Sequence, residues 1–185
     1  MLEAGHLGGY RIGGDEATWF PDLWSWLVET QAVSSVIDVG CGEGHAIKFF
    51  GELGCRVKGI DGVPQDDPRI QTHDYTTGSP SIYDIGTYDL CWCCEFVEHV
   101  EERYVPFFLN TFQQARLVLL THAEPGQQGW HHVNLHTSEY WLGVMAAAGF
   151  MLDVDLTWLA RGKTASNRSE YNHFVRSGMA FRRYP

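Results

Sequence analysis

A glycine-rich turn and a downstream carboxylate are the first residues whose types and spacing suggest a chemistry. The apolar run 35–40 leads directly into the loop 40–44, Gly-Cys-Gly-Glu-Gly, and an apolar helical pattern follows. Glycine lets a ligand approach the backbone closely, and a helix N-terminus offers free amides. The next apolar run ends at Asp61, whose carboxylate can accept hydrogen bonds from two ribose hydroxyls. We predict a nucleoside-type site here, the alternative being that Asp61 is only a turn residue before Gly62.

A group of carboxylates with an imidazole follows the third apolar run. The stretch 95–99 reads Glu-Phe-Val-Glu-His, so that Glu95, Glu98 and His99 lie three and four residues apart. On a helix, this spacing would place all three side chains on one face. Such groups can accept a proton from a nucleophile or bind a divalent metal, and Glu95 is our catalytic candidate among them.

The polar loop 122–136 adds four imidazoles, those of His122, His131, His132 and His136. We favour His131 or His132 as the proton acceptor or as a metal ligand. The alternative is that these are chance surface histidines. The stretch 125–129, which contains Pro and Gly, is the predicted lid.

Alternating short apolar runs and helical patterns must position these residues. The predicted strands are 35–40, 56–61, 88–93, 115–123, 150–159 and 173–182. The predicted helices are 18–30, 45–53, 100–114 and 138–148, the last capped by Ser138 and ended by Gly149. This order predicts an α/β fold with a doubly wound, mostly parallel sheet and helices on both faces. Ligands bind such sheets beyond the carboxyl ends of the strands, where the residues named above lie.

Length and charge narrow the class of protein further. The chain has 185 residues, which suits one domain spanning 1–185. The 13 Lys and Arg residues against 23 Asp and Glu give a net charge of -10, which argues against a nucleic-acid partner. Six basic residues within 161–183 nevertheless predict a local anion-facing patch. Because no signal peptide or apolar membrane span is found, we expect a cytoplasmic protein without a membrane partner. The sequence does not set the oligomeric state.

The five cysteines predict buried thiols rather than a disulfide framework or a metal site. Their number is odd, and Cys91, Cys93 and Cys94 fall within one apolar run. This run lacks the two-residue spacer and the second ligand pair of a zinc site.

The glycine spacing points to one family. It is G-x-G-x-G with Asp38 two residues before the first glycine, unlike the G-x-G-x-x-G of dinucleotide enzymes. Here the sequence resembles the class I S-adenosylmethionine-dependent methyltransferases. The stretch 36–44, VIDVGCGEG, matches their first motif, and further matches are Asp61, the segment 73–75 and the fourth motif at 88–100. The resemblance implies a Rossmann-like sheet of seven strands with the last one antiparallel. It also implies that 1–34 forms a helical segment over the active site.

The resemblance further implies S-adenosylmethionine as the cofactor. The residues implied to bind it are Asp38, Gly40, Cys41, Gly42, Gly44, Asp61, Gly62, Asp74, Tyr75 and Cys93. Of these, Gly40, Cys41 and Gly42 would lie under the methionine part. Asp61 would hold the ribose and Asp74 the adenine amino group. Arg11 is our candidate for pairing with the cofactor carboxylate, the alternative being a solvated terminal residue.

The E-x-x-E-H run also resembles two metal-dependent branches of the family, the O-methyltransferases of ubiquinone synthesis and the small-RNA terminal 2'-O-methyltransferases. That resemblance implies a divalent metal on Glu95, Glu98, His99 and His132. The run also occurs in relatives without a metal, so we favour the metal-free mechanism. The leading function is methyl transfer to an oxygen or nitrogen of a small molecule. The alternatives are metal-assisted RNA 2'-O-methylation and a non-catalytic cofactor-binding subunit. A nicotinamide oxidoreductase is disfavoured by the glycine spacing.

Overall fold

A single mixed β-sheet organises the chain. The computed structural model describes residues 5–7, 9, 12–81, 87–164, 167, 169 and 172–184. The strands of its seven-stranded sheet are β1 (Ser35–Val39), β2 (Arg56–Asp61), β3 (Ile70–Thr72), β4 (Tyr88–Cys93), β5 (Ala115–Leu120), β6 (Phe150–Leu152) and β7 (Met179–Arg183). Their order is β3-β2-β1-β4-β5-β7-β6, and β7 is antiparallel to both of its neighbours. The doubly wound fold with an antiparallel last strand is therefore confirmed.

Helices cover both faces of the sheet. Among the described residues they are α1 (Pro21–Thr30), α2 (His45–Glu52), α3 (Val105–Phe112), α4 (Ser138–Ala147), α5 (Val154–Lys163) and α6 (His173–Ser177). Successive strand side chains point to opposite faces, so Val36 and Ile37 belong to two different cores. The first core contains residues of α3 and α4, including Phe108 and Trp141. The second contains Trp24, from α1, and residues of α2, α5 and α6.

Two predicted strands proved to be partly helical. The stretch 150–159 forms β6 and then enters α5, because the Asp153 carboxylate caps the helix by accepting from the Leu156 amide at 2.9 Å. The stretch 173–182 first forms α6, which the Asn172 side chain caps at the Val175 amide, and only then β7. Both capping residues are present in the sequence, but the apolar content of the two stretches suits a strand as well as a helix.

Smaller differences concern element boundaries. Strand β3 was not predicted, since it has three residues and carries little periodic pattern. Helix α3 begins at Val105 after a one-turn helix, instead of at 100. The residue at the N-cap of α4 is Thr137, whereas the hydroxyl of Ser138 bonds the His122 ring at 3.0 Å.

The five cysteines are free thiols, and Cys55, Cys91 and Cys93 are buried. Burial raises the pKa of Cys91 and of Cys93 well above the usual value for a thiol. Within the described part of the chain, helices are too short or too polar to cross a membrane.

Candidate active site

The glycine loop joins the end of β1 to α2 and is fixed by the backbone of β2. The amides of Gly40 and Cys41 both donate to the Ile60 carbonyl, at 2.9 and 3.2 Å. Gly40 and Gly42 have φ of 75° and 52°, a region in which other residues are strained. A side chain at Gly40 would also place its Cβ 2.8 Å from the Cβ and Cγ atoms of Phe96. Both the turn and the packing of Phe96 therefore require glycine.

Asp61 connects the end of β2 to this loop. One carboxylate oxygen accepts from the Gly42 amide at 2.8 Å, and the other accepts from the Val63 amide at 2.9 Å. Burial raises the pKa of Asp61, although these amide hydrogen bonds oppose the shift. A carboxylate has about four acceptor positions, so each oxygen can still accept from a ligand hydroxyl. Buried Asp38 lies beneath, and burial followed by the charge of Asp61 raises its pKa.

Part of the N-terminal region contacts the ends of the same strands. We call the described residues 5–7, 9 and 12–14 the strap. His6 donates from Nε2 to Asp74 Oδ2 at 2.9 Å, and the Leu7 side chain fills the space where Gly62 would carry a Cβ. Gly9 lies against the rings of His99 and Trp130. The strap therefore reaches from the predicted adenine and ribose residues to the imidazole-rich loop.

Asp74 is held by the strap and by its own turn. Its Oδ1 atom caps the Thr76 amide at 2.8 Å, in addition to the contact of Oδ2 with His6. Burial alone would raise the pKa of Asp74, but the Thr76 amide and His6 outweigh it and lower the pKa. The side chains of Tyr75 and Cys93 point into the core, where the Tyr75 hydroxyl bonds Thr111. Arg11 lies outside the described residues.

The E-x-x-E-H run does not form the single helical face that its spacing suggested. Glu95 has a φ of 54°, and only Val97–His99 form a one-turn helix. Glu98 and His99 come together with His132 instead, and their ligand atoms lie within 4.8 Å of one another. Glu95, the fourth residue of the ligand set inferred from the sequence, lies outside this group of three.

This group contains buried atoms that have no partner. Both carboxylate oxygens of Glu98 and the Nδ1 atom of His99 lack a hydrogen-bond partner among the described residues. Burial raises the pKa of Glu98 well above its usual value, and the neighbouring charge of Glu95 adds to the shift. Burial also lowers the pKa of His99, with a further contribution from His132. His132 donates from Nδ1 to the Gln127 carbonyl at 3.1 Å, which leaves its Nε2 as a potential ligand atom.

Glu95 pairs with a residue that the sequence did not indicate. Its Oε2 atom lies 2.9 Å from His173 Nδ1, and its Oε1 atom accepts from the Thr121 hydroxyl at 2.9 Å. Burial alone would raise the pKa of Glu95, but the hydrogen bond and charge of His173, with the Thr121 hydroxyl, lower it. His173 was missed because it was predicted within a strand, whereas it is the first residue of α6.

The four histidines of the loop 122–136 have four different environments. His122 is buried, and its Nε2 atom lies 3.0 Å from the Ser138 hydroxyl. His131 has its ring centre 6.3 Å from that of His6, His132 joins Glu98, and His136 stacks on Tyr140 at 3.6 Å. The two predicted bases, His131 and His132, thus have different contacts.

The glycine loop, Asp61 and the group Glu98, His99 and His132 all lie beyond the carboxyl ends of the parallel strands. The methyltransferase domain family matches residues 17–153 of the chain. The chain belongs to this methyltransferase family. Its fold is that of the class I S-adenosylmethionine-dependent methyltransferases, in agreement with the glycine loop after β1 and the acid at the end of β2.

Solved structures of other methyltransferases share the fold of this family member. The 1,6-didemethyltoxoflavin N1-methyltransferase of Burkholderia thailandensis, solved with its substrate and S-adenosylhomocysteine, has a TM-score of 0.61 and 14% identity. That comparison covers 92% of this chain and 79% of the other. The magnesium protoporphyrin IX methyltransferase of Synechocystis, solved with S-adenosylhomocysteine bound, has a TM-score of 0.59 and 16% identity. That comparison covers 91% of this chain and 83% of the other.

The methyltransferase chain also has a relative in sequence. It is 33% identical over 79 residues to the ubiquinone biosynthesis O-methyltransferase of Paraburkholderia xenovorans. The match covers 37% of this chain and 34% of that protein, so the chain spans about a third of its relative.

Proposed function

We propose that this protein transfers the methyl group of S-adenosylmethionine to an oxygen or nitrogen of a small-molecule acceptor. The observation that carries the proposal is the hydrogen bond between Gly42 and Asp61, which places a glycine cradle beside a carboxylate with free acceptor positions. Membership of the methyltransferase family and the class I fold support it.

The residues present fit the cofactor. A cradle with φ of 75° and 52° at Gly40 and Gly42 keeps side chains away from a ligand, as the methionine part requires. We assign Asp61 to the ribose hydroxyls, and buried Asp38 to orienting the loop and the amino group of the cofactor. Asp74 would accept from the adenine amino group once His6 has moved away. When bound, the cofactor supplies a methyl group on a positively charged sulfur.

Positioning explains most of the expected rate. The reaction is an in-line displacement on an electrophilic carbon, so the protein must align acceptor and methyl group and remove a proton only where the nucleophile carries one. The loop 122–136 and the strap are in contact at Gly9 and Trp130, so the two together can exclude water from the cleft.

A small acceptor is favoured by charge and by the relatives. The net charge of -10 opposes binding to a phosphate backbone. The relatives named above are methyltransferases of a toxoflavin precursor, of a magnesium porphyrin and of ubiquinone biosynthesis. The cytoplasmic location expected from the sequence remains a prediction.

The test is transfer of a tritiated methyl group from S-adenosylmethionine to a panel of phenols, hydroxy acids and amines. We expect labelled product with the wild-type protein and a loss of most activity in Asp61→Asn. Cofactor binding without transfer to any acceptor would support the non-catalytic subunit instead. An absence of cofactor binding would refute the proposal.

The group Glu98, His99 and His132 favours a second candidate, a metal-assisted methyltransferase acting on RNA 2'-hydroxyls or on diols. The unpartnered Glu98 oxygens, the His99 ring and His132 Nε2 suit Mg, Mn or Zn. When bound, such an ion lowers the pKa of an acceptor hydroxyl and orients it. Calorimetric titration with MnCl2 should show a site that His132→Ala weakens and His136→Ala does not. Activity on short RNA that EDTA abolishes and Mn restores would favour this candidate, whereas activity unaffected by EDTA would exclude it.

A further inference from the structure

A cavity of about 190 Å³ lies near the carboxyl end of β5, which is separated from the glycine loop by β4. It is lined by His122, Glu124, Gln127, His173, Arg176 and Ser177. The first three residues follow β5 and the last three belong to α6, which precedes β7. None of these six has a role in the cofactor site described above.

His173 is held in this wall in one orientation. Its Nδ1 atom faces the Glu95 carboxylate at 2.9 Å, and the Thr121 hydroxyl fixes the other oxygen of that carboxylate. When the ring is neutral, the nitrogen that faces the carboxylate carries the proton, and Nε2 is then an acceptor. A carboxylate behind an imidazole also stabilises the positive charge that the ring gains when it takes up a proton.

The pair lies close to the predicted position of the methyl group. Glu95 is two residues beyond β4, the strand that pairs with β1. The next residue, Phe96, packs directly against Gly40 of the glycine loop. Glu95 therefore connects the cofactor loop on one side to the cavity on the other.

The charges around the cavity indicate the kind of molecule that it accepts. Arg176, an exposed residue, lines it from α6, and no ion pair of Arg176 is present among the described residues. Burial lowers the pKa of His122, so this ring is neutral near pH 7. The Glu124 carboxylate lies 3.9 Å from the neutral His122 ring and remains an anion, but its side chain is 53% exposed, so water screens its charge. The Glu95 carboxylate is paired with His173. Among the described residues of this wall, Arg176 is the cation without an ion-pair partner, and an acidic group can pair with it.

We propose that this cavity binds the methyl acceptor, a small acid that also bears the hydroxyl or amine to be methylated, and that His173 is its catalytic base. The inference rests on the proposed function. Glu95 is a positioning residue, because it acts through His173, and Arg176 holds the acidic group.

In the proposed transfer, one bond forms at the methyl carbon and one bond breaks. The acceptor oxygen or nitrogen forms a bond to the methyl carbon while His173 Nε2 takes its proton. The bond from carbon to sulfur breaks, and its electron pair stays on sulfur, which becomes neutral. The positive charge that was on sulfur ends on the His173 ring, beside the Glu95 carboxylate.

The experiment combines three measurements on the full chain. Calorimetry with S-adenosylhomocysteine measures the cofactor site. Imidazole resonances followed by NMR, with hydroxybenzoates as probes and phenol as the neutral control, measure the cavity. Transfer of tritiated methyl to the same probes measures the chemistry. The variants are His173→Gln, Glu95→Gln and Arg176→Ala, with His136→Gln and Arg103→Ala as matched controls on paired or stacked surface residues.

We expect hydroxybenzoates, and not phenol, to shift the His173 resonances, and Arg176→Ala to abolish the shift. We expect His173→Gln to lower kcat about 10²- to 10⁴-fold and to remove its rise with pH. Arg176→Ala should raise KM, and Glu95→Gln should lower kcat and alter the His173 tautomer. None of these variants should change S-adenosylhomocysteine affinity. If the cofactor analogue does not bind the wild type, the proposed function fails. If it binds but the probes neither shift His173 nor accept a methyl group, the acceptor site is wrong, and an unchanged kcat in His173→Gln removes the base.

Discussion

At the scale of single residues, Asp61 has the most demanding position. Its carboxylate accepts two backbone amides from the protein and, in our account, two ribose hydroxyls from the cofactor. The sequence predicted the acid and the glycines because their spacing is local. It did not reveal that Asp61 fixes the Gly42 amide, since that contact joins the loop after β1 to the end of β2.

We predict that Asp61→Ala weakens S-adenosylmethionine by at least about tenfold, equivalent to ~1.5 kcal/mol for one charge-assisted hydrogen bond. Asp61→Asn keeps the shape of the side chain but removes its charge, so it should also weaken S-adenosylmethionine binding. Asp66→Ala is the matched control, because it removes an equal charge from an exposed position five residues away. Calorimetry measures the affinities, and equal affinities in Asp61→Ala and Asp66→Ala would disprove the ribose assignment.

A second residue-scale prediction separates backbone strain from ligand contact. Gly42 and Gly54 both have positive φ, 52° and 84°, so alanine at either should destabilise the fold by about 1–2 kcal/mol. Only Gly42 lies in the cofactor cradle. We therefore expect Gly42→Ala, and not Gly54→Ala, to weaken S-adenosylhomocysteine, as measured by calorimetry alongside urea unfolding. Similar S-adenosylhomocysteine affinities in the two variants would mean that the glycine loop does not contact the cofactor.

At the scale of elements, Asp89 ties three strands together at the edge opposite the active site. Its Oδ2 atom accepts from the amides and hydroxyls of Ser34 and Ser35, and its Oδ1 atom accepts from Arg116 at 3.0 Å. Burial alone would raise the pKa of Asp89, but the Ser34 hydroxyl and amide, with Arg116, lower it well below the usual 3.8 of an aspartate. Asp89 is therefore ionised in the folded state across the neutral range.

We predict that Asp89→Asn lowers the free energy of unfolding at pH 7 by about 2 kcal/mol. A lowered pKa in the folded state contributes stability above the unfolded value of 3.8, and the contribution is lost as pH falls through the folded value. The difference between wild type and Asp89→Asn should therefore shrink below pH 3.8. Urea unfolding from pH 7 to pH 2 measures it, with Asp66→Asn as the control. A difference that stays constant with pH would contradict this role.

The strap gives a second element-scale prediction. Gly62 does not have a positive φ, so alanine suits its backbone, but its Cβ would collide with Leu7. We expect Gly62→Ala to displace the strap and release His6 from Asp74, which should speed cofactor association. Leu7→Ala should do the same, and the double variant should gain little more, because both act on one contact.

Stopped-flow tryptophan fluorescence measures the association rates. Gly143→Ala is the control, since its added Cβ meets no atom within 4 Å. Unchanged rates in both Leu7→Ala and Gly62→Ala would show that the strap does not limit cofactor entry.

Prediction from the sequence succeeded for elements with strong local patterns and failed where tertiary contacts decide. Strand β1 is buried along its whole length and was correctly placed. The stretch 150–159 contains apolar residues that suit a strand or a helix, and the Asp153 cap with packing of Leu156 selects the helix. The pairing of Glu95 with His173 joins residues that are far apart in sequence, so no local signal could have indicated it.

At the scale of the whole molecule, the predicted cofactor site and the proposed acceptor cavity lie at different positions along the carboxyl ends of the strands. The cofactor residues follow β1 and β2, the cavity lies beside β5 and α6, and Glu95 after β4 lies between them. The basic patch expected within 161–183 is largely used internally, because Arg161 donates to Gly178, Arg182 pairs with Asp153 and Arg183 donates to Gln113. The surface charge therefore gives little support to an RNA partner.

The most direct test of the central claim is a crystal structure of the protein grown with S-adenosylhomocysteine. We predict that the ligand lies along the glycine loop, with its ribose hydroxyls on Asp61, its adenine at Asp74, and His6 moved from the position it occupies now. A ligand bound elsewhere, or an empty cleft at a saturating concentration of the ligand, would contradict the account.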